Sequence, residues 1–152
     1  MIAERIYHWA KLQPGRAAVI WNDVSLSYLS FSNAIRLACD FFEQENLPVG
    51  GTAIVLVHSL LDAWILVIAL RILGLNTICV RSNEKIESLW TKDAACVVTT
   101  ETEAAACNLA NIKSSGTKVV IVPSAVQSIR NSNDLLVLHN DRRPFGGHIL
   151  YT

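Results

Sequence analysis

The sequence predicts an α/β fold: three layers, with helices on both faces of a mostly parallel sheet. Two observations carry this. Short apolar runs without polar alternation, such as Ala53 to Val57, read as strands covered on both faces. Between them lie stretches with helical spacing, so strands and helices alternate along the chain. Crossovers of that kind are right-handed and give parallel pairing.

The first helix is expected from Ile2, Ile6, Trp9 and Ala10, and Pro14-Gly15 ends it. Ala17 to Trp21 and Leu26 to Tyr28 are short strands, and Asn22-Asp23 between them suggests a hairpin turn. Ser27 suits the N-cap of a helix whose inner face is Phe31, Ala34, Ile35, Ala38, Phe41 and Phe42. Asn46 to Gly51, with Pro48, Gly50 and Gly51, terminates it. After the strand at Ala53, Ser59 suits a second N-cap. Asp62 and Arg71 match the dipole of that helix, and Gly74 suits the left-handed position beyond its end.

Thr77 to Val80 is then a strand, Ile86, Leu89 and Trp90 a short helix, and Ala95 to Thr99 a strand. Thr102 to Ile112 reads as one helix, followed by a strand at Lys118 to Val122. Leu135 to Leu138 is a strand or the loop before one, and His148 to Thr152 a last strand. Ser124 to Asp134 and Asp141 to Gly147 are loops. Residues 1–152 form a single unit, long enough for one core.

Bulk properties exclude several functions. Thirteen basic residues balance thirteen acidic ones, so there is no electrostatic footprint for nucleic acid or an anionic membrane. The longest unbroken apolar run, Ala63 to Leu70, is far short of the ~20 residues that span a bilayer. No signal peptide is visible, which implies a cytoplasmic protein. Cys39, Cys79, Cys96 and Cys107 lack metal-ligand spacing, so no metal site is expected and all four read as buried thiols.

Three segments, in order, resemble the adenylate-forming superfamily of acyl-CoA synthetases, peptide-synthetase adenylation domains and luciferases. Leu26-Ser27-Tyr28-Leu29-Ser30-Phe31 is similar to the family's L-T/S-Y-x-E-L. Ala69-Leu70-Arg71-Ile72-Leu73-Gly74 looks like its A-x-L-K-A-G. Ile149-Leu150-Tyr151-Thr152 is similar to the strand that runs into its phosphate loop, S-G-T-T-G-x-P-K. Three departures point to a divergent branch. Ser30 replaces a Glu, Gly50-Gly51 a G-D, and Cys79-Val80-Arg81 a P-x-D.

The resemblance implies the N-terminal part of an ATP-dependent acyl-activating enzyme, truncated before its phosphate loop and inactive by itself. ATP, Mg2+ and CoA are implied for the full-length parent, and no cofactor for this chain. Only Thr152 falls on a nucleotide-contacting position, the T of Y-T-S-G. No catalytic residue is expected, because stabilising a transferring phosphorus needs backbone amides, a cation and Mg2+. Neither Gly50-Gly51 nor Gly146-Gly147 has a neighbouring Lys-Ser/Thr, and both read as turns.

Among other residues, His58 follows a buried strand at an edge where α/β sheets bind ligands, but reads more simply as a helix-entry residue. His8, His139 and His148 have no acidic or nucleophilic partner in sequence reach. Arg142-Arg143 reads as a solvated pair, and Trp9, Trp21, Trp64 and Trp90 as core or interface. Expected partners are the remainder of its own enzyme chain and further copies, through an apolar face left uncovered. Two alternatives stand beside this reading: a non-catalytic doubly wound binding module, and a degenerate synthetase kept for protein contacts.

Overall fold

The computed structural model describes residues 2–81, 93–107, 109–124 and 126. Helix α1 (Ile2–Leu12) buries Ala3, Ile6 and Ala10. Strands β1 (Ala17–Trp21) and β2 (Val24–Ser27) pair antiparallel, with Trp21 opposite Val24. Asn22 and Asp23 both take positive φ, 46° and 60°, which is the type I′ turn that matches strand twist.

The second strand ends one residue earlier than the sequence suggested. Ser27 is extended (φ −71°, ψ 161°) and its hydroxyl accepts the Ser30 amide at 3.1 Å, so Tyr28 already opens helix α2 (Tyr28–Gln44). Helix α2 buries Phe31, Ala34, Ile35, Ala38 and Phe42.

Strand β3 (Thr52–Leu56) is followed by α3 (Leu60–Ile72), whose N-cap Ser59 accepts the Asp62 amide at 3.3 Å. Gly74 takes φ +85° just beyond the helix end, the conformation for which glycine is suited. Strands β4 (Asn76–Val80) and β5 (Cys96–Thr100) follow.

The single helix expected at Thr102 to Ile112 is two short ones, α4 (Glu101–Ala106) and α5 (Ala110–Ser114). Cys107 between them is extended (φ −109°, ψ 138°). No residue of α4 is buried, whereas Leu109 and Ile112 are. A run of Glu, Thr and Ala has no large apolar side chain to hold it on the sheet. Capping anchors α4, and the break lets Leu109 and Ile112 reach the core.

With β6 (Lys118–Val122), the main sheet has the order β4-β3-β5-β6, all parallel. Its two faces divide by alternation. Ala53, Val55, Cys96, Val98, Val120 and Val122 join the core built with α1, α2 and α3. Ile54, Leu56, Val80 and Val97 join Leu109 and Ile112 in a smaller core. The three-layer α/β architecture is therefore as expected.

One burial reading is corrected. Cys79 is exposed and Cys107 half-buried, so only Cys39 and Cys96 are buried thiols. Cys79 lies on β4, which among the described residues has a strand neighbour on one side only. Of the two places expected for the tryptophans, core or interface, the 40% and 51% exposure of Trp21 and Trp64 excludes the core.

Among the described residues, no helix is long and apolar enough to cross a membrane. The helix expected around Ile86 to Trp90, the strands at Leu135 to Leu138 and His148 to Thr152, and the loop Asp141 to Gly147 lie outside the described residues. So does most of the loop expected from Ser124 to Asp134.

Candidate functional site

In an open parallel sheet, ligands bind beyond the carboxyl ends of the strands, at the point where the strand order reverses. Here the chain leaves β3 toward β4 on one side, while β5 and β6 lie on the other. The reversal point is thus flanked by His58 and Ser59 after β3 and by Thr100 and Glu101 at the end of β5.

Acidic side chains from the first turn of α4 already occupy this edge. Thr100 is the N-cap of α4, its hydroxyl accepting the Glu103 amide at 3.3 Å. In a capping box the Glu three residues on would return to the cap's own amide. Glu103 instead reaches across to the end of β3. One carboxylate oxygen accepts the His58 backbone N–H at 3.1 Å, and the other lies 2.6 Å from His58 Nδ1. The Glu103 side chain is 14% exposed and the imidazole 60%.

Glu101 does the equivalent on the far side. One of its carboxylate oxygens accepts the Ser124 hydroxyl at 2.6 Å and the Ser124 amide at 3.0 Å. The hydroxyl first, and then the amide, holds the Glu101 carboxyl below the usual carboxylate range. Within the sheet, the Thr99 hydroxyl donates to the Leu56 carbonyl at 3.0 Å. Two carboxylates thus bind amides just beyond the carboxyl ends of β3 and β6.

His58 therefore has the acidic partner that sequence distance hid. Forty-five residues separate it from Glu103, and only the parallel pairing of β3 with β5 brings them together. The signal in the sequence was T-x-x-E at Thr100 to Glu103, a capping-box pattern. His8 stacks edge-on with Trp9, ring centroids 5.9 Å apart. Ser27 and Ser59 are helix caps, as expected. Thr152, Arg142-Arg143, His139, His148 and Gly146-Gly147 lie outside the described residues.

Two concavities meet at His58. The smaller, about 440 Å3, also has Trp21, Val24, Ser59 and Leu61 on its wall. The larger, about 680 Å3, lies between α1, the hairpin, α3 and the end of β4. Among the described residues no group of His, Cys, Asp and Glu is placed to hold a metal ion.

No protein-family model matches the sequence, and no curated protein matches it. Solved structures do match the fold. A nonribosomal peptide synthetase, FmoA3 in its alpha-methyl-L-serine-AMP bound form, superposes with TM-score 0.72 at 14% identity. That match covers 100% of this chain and 17% of the other. This is the N-terminal fold of the adenylate-forming enzymes.

The N-terminal domain of FACL13 from Mycobacterium tuberculosis matches with TM-score 0.66 at 14% identity, over 88% of this chain and 36% of that one. O-succinylbenzoate coenzyme A synthetase (MenE) from Bacillus subtilis, in complex with ATP and magnesium ion, matches with TM-score 0.62 at 15% identity. Coverage there is 84% of this chain and 33% of the synthetase. The chain thus spans well under half the length of these adenylate-forming neighbours.

The clasped ends of β3 and β6 offer a nucleotide triphosphate no free amide at His58 or Ser124. Such a group needs free backbone amides and a cation at a strand end. Here the amides of His58 and Ser124 are taken by carboxylates, and a phosphate brought to them would meet the like charge of Glu103 and Glu101.

Proposed function

We propose that this chain is the N-terminal scaffold of an ATP-dependent acyl-activating enzyme, an acid-thiol ligase that works through an acyl-AMP. In this reading it does not catalyse adenylation by itself. The observation that carries the proposal is the fold match to adenylate-forming enzymes, over 84% to 100% of this chain. The carboxylate-filled strand ends support the second half, since they offer a triphosphate repulsion rather than a cradle.

The phosphate loop, Mg2+, CoA and catalytic lysine would then come from the remainder of the enzyme. The chain's partners are that remainder and, in its absence, further copies. Ile20, Trp21 and Val24 are 74%, 40% and 45% exposed, which places an apolar patch on the hairpin. The cytoplasm is the compartment that suits such an enzyme.

Calorimetric titration of this polypeptide with ATP and Mg2+, beside ATP–pyrophosphate exchange, tests the reading. The expected result is neither saturable binding nor exchange, with a parent reading frame that continues into a Ser/Gly/Thr-rich loop ending in Lys. Tight, saturable ATP binding by this chain would refute it.

A further inference from the structure

We infer that the larger cavity is a docking groove for a protein partner that presents an acidic amphipathic helix, with apolar side chains along one face and carboxylates on its flanks. The inference goes beyond the proposed function and stands or falls separately from it.

The groove has two helical walls. Ile2, Arg5, Ile6 and Trp9 line it from α1, at the i, i+3, i+4, i+7 spacing that puts residues on one helix face. Leu60, Trp64, Val67 and Arg71 line it from α3, again along one face. Both helices pack on α2, whose Phe31 also lines the space. From Leu60 to Arg71 the α3 wall runs about three turns, or about 16 Å. A second helix laid along it can seat apolar side chains from successive turns, and the volume of about 680 Å3 has room for several. Ile2 and Trp64, one from each wall, are about half exposed, so the apolar lining is incomplete without a further surface. Tryptophan and arginine are also the side chains that most often dominate binding at protein interfaces.

The charged lining selects the sign of the partner. Arg5, Arg71 and Arg81 line the groove, and among the described residues no aspartate or glutamate does. Arg71 lies in the last turn of α3, before β4 begins, and Arg81 directly follows the end of β4, so the length of that strand separates them. Arg5 stands on the α1 wall. Cations at both ends and along one wall match carboxylates spread over a helix rather than a single head group. Leu56 of β3 pairs with Val80 of β4, so Arg81 and His58 leave adjacent strands at one edge. Glu103 already holds His58 there, which assigns the partner's carboxylates to the arginines and not to the imidazole.

The test uses the whole chain and three blocked synthetic peptides, each about 16 residues long so that a helix can form. The first has leucines along one helix face with glutamates on both flanks. The second has lysines in place of the glutamates, and the third is a scramble of the first without an apolar face. Isothermal titration should give one saturable equivalent of the first peptide per chain, with the other two at least about tenfold weaker. The double variant Arg5→Glu/Arg81→Glu should weaken the first peptide by about tenfold and narrow its gap from the lysine peptide. Trp64→Ala should weaken both leucine-faced peptides alike. All three replaced side chains are exposed, and circular dichroism with thermal melting checks that each variant is folded. Lys113→Glu, on α5 over the other face of the sheet, should leave binding unchanged. Equal affinity for the glutamate and lysine peptides, equal affinity for the scramble, or unaltered binding by the folded double variant would each overturn the inference. So would a self-associated chain that binds no peptide and that Trp64→Ala dissociates, since the groove would then belong to a second copy.

Discussion

Replacing Glu103 by alanine removes the clasp between α4 and the end of β3, and its cost follows from the geometry. The His58 backbone N–H loses a charged acceptor 3.1 Å away, worth about 1 kcal/mol net at a partly solvated site. The imidazole contact at 2.6 Å adds about 0.5 kcal/mol, the value of an exposed pair, because the ring is 60% exposed. A negative charge in the first helical turn contributes about 0.5 kcal/mol more. Alanine's better helix propensity returns a few tenths of a kcal/mol.

The expected destabilisation is therefore about 2 kcal/mol, or a melting temperature lower by roughly 4–8 °C for a domain of this size. His58→Ala should cost only about 0.5 kcal/mol, because the backbone N–H keeps its acceptor. Glu103→Gln should fall between them, since an amide oxygen still accepts that N–H. Urea unfolding at constant m-value supplies the numbers, and the His58/Glu103 double-mutant cycle isolates the side-chain pair. If His58→Ala costs as much as Glu103→Ala, the backbone amide is not the principal partner and the reasoning fails.

Three further outcomes are expected. Gly51→Ala should destabilise by about 1–3 kcal/mol, because a Cβ there would lie 2.9 Å from both the Ala95 Cβ and the Pro48 carbonyl oxygen. Thermal unfolding measures it. The Glu101 carboxyl is depressed in the folded state, so its contribution is fully present above the ordinary value of 4.5 and fades as pH falls below it. Ser124→Ala should lower stability at neutral pH, and the gap from the parent chain should close in acid unfolding curves below that value. Among the described cysteines, Cys39 should react last with a disulfide reagent in the native protein, since burial first, then Asp40 and Glu43, pushes its thiol up to about 12. Cys96, pushed by burial to about 11, should also be slow, and exposed Cys79 should be labelled first, as peptide mapping would resolve.

Much of the chain's local structure could be read from residue order alone. Apolar runs, helical spacing and the caps Ser27 and Ser59 are local signals, set by backbone sterics and by hydrogen bonds within a single turn. They located the hairpin, the first three helices and the parallel strands. The resemblance at Leu26 to Phe31 and Ala69 to Gly74 named the fold that superposition supports. Local signals misjudged the stretch from Thr102 to Ile112. The periodic spacing of its residues suggested one helix, but only the sheet decides which of them are buried.

The candidate site was hidden for a different reason. The nearby acid, Asp62, belongs to the first turn of α3, and nothing in the residue order ties His58 to Glu103. Strand register decided that these two meet, that Glu101 meets Ser124, and that Arg81 shares an edge with His58. Sequence alone determined what repeats over a few residues: periodicity, caps and turn chemistry. Tertiary structure decided what depends on proximity across the sheet. Parallel strands pair only through long crossovers, so their neighbours lie tens of residues apart in the chain.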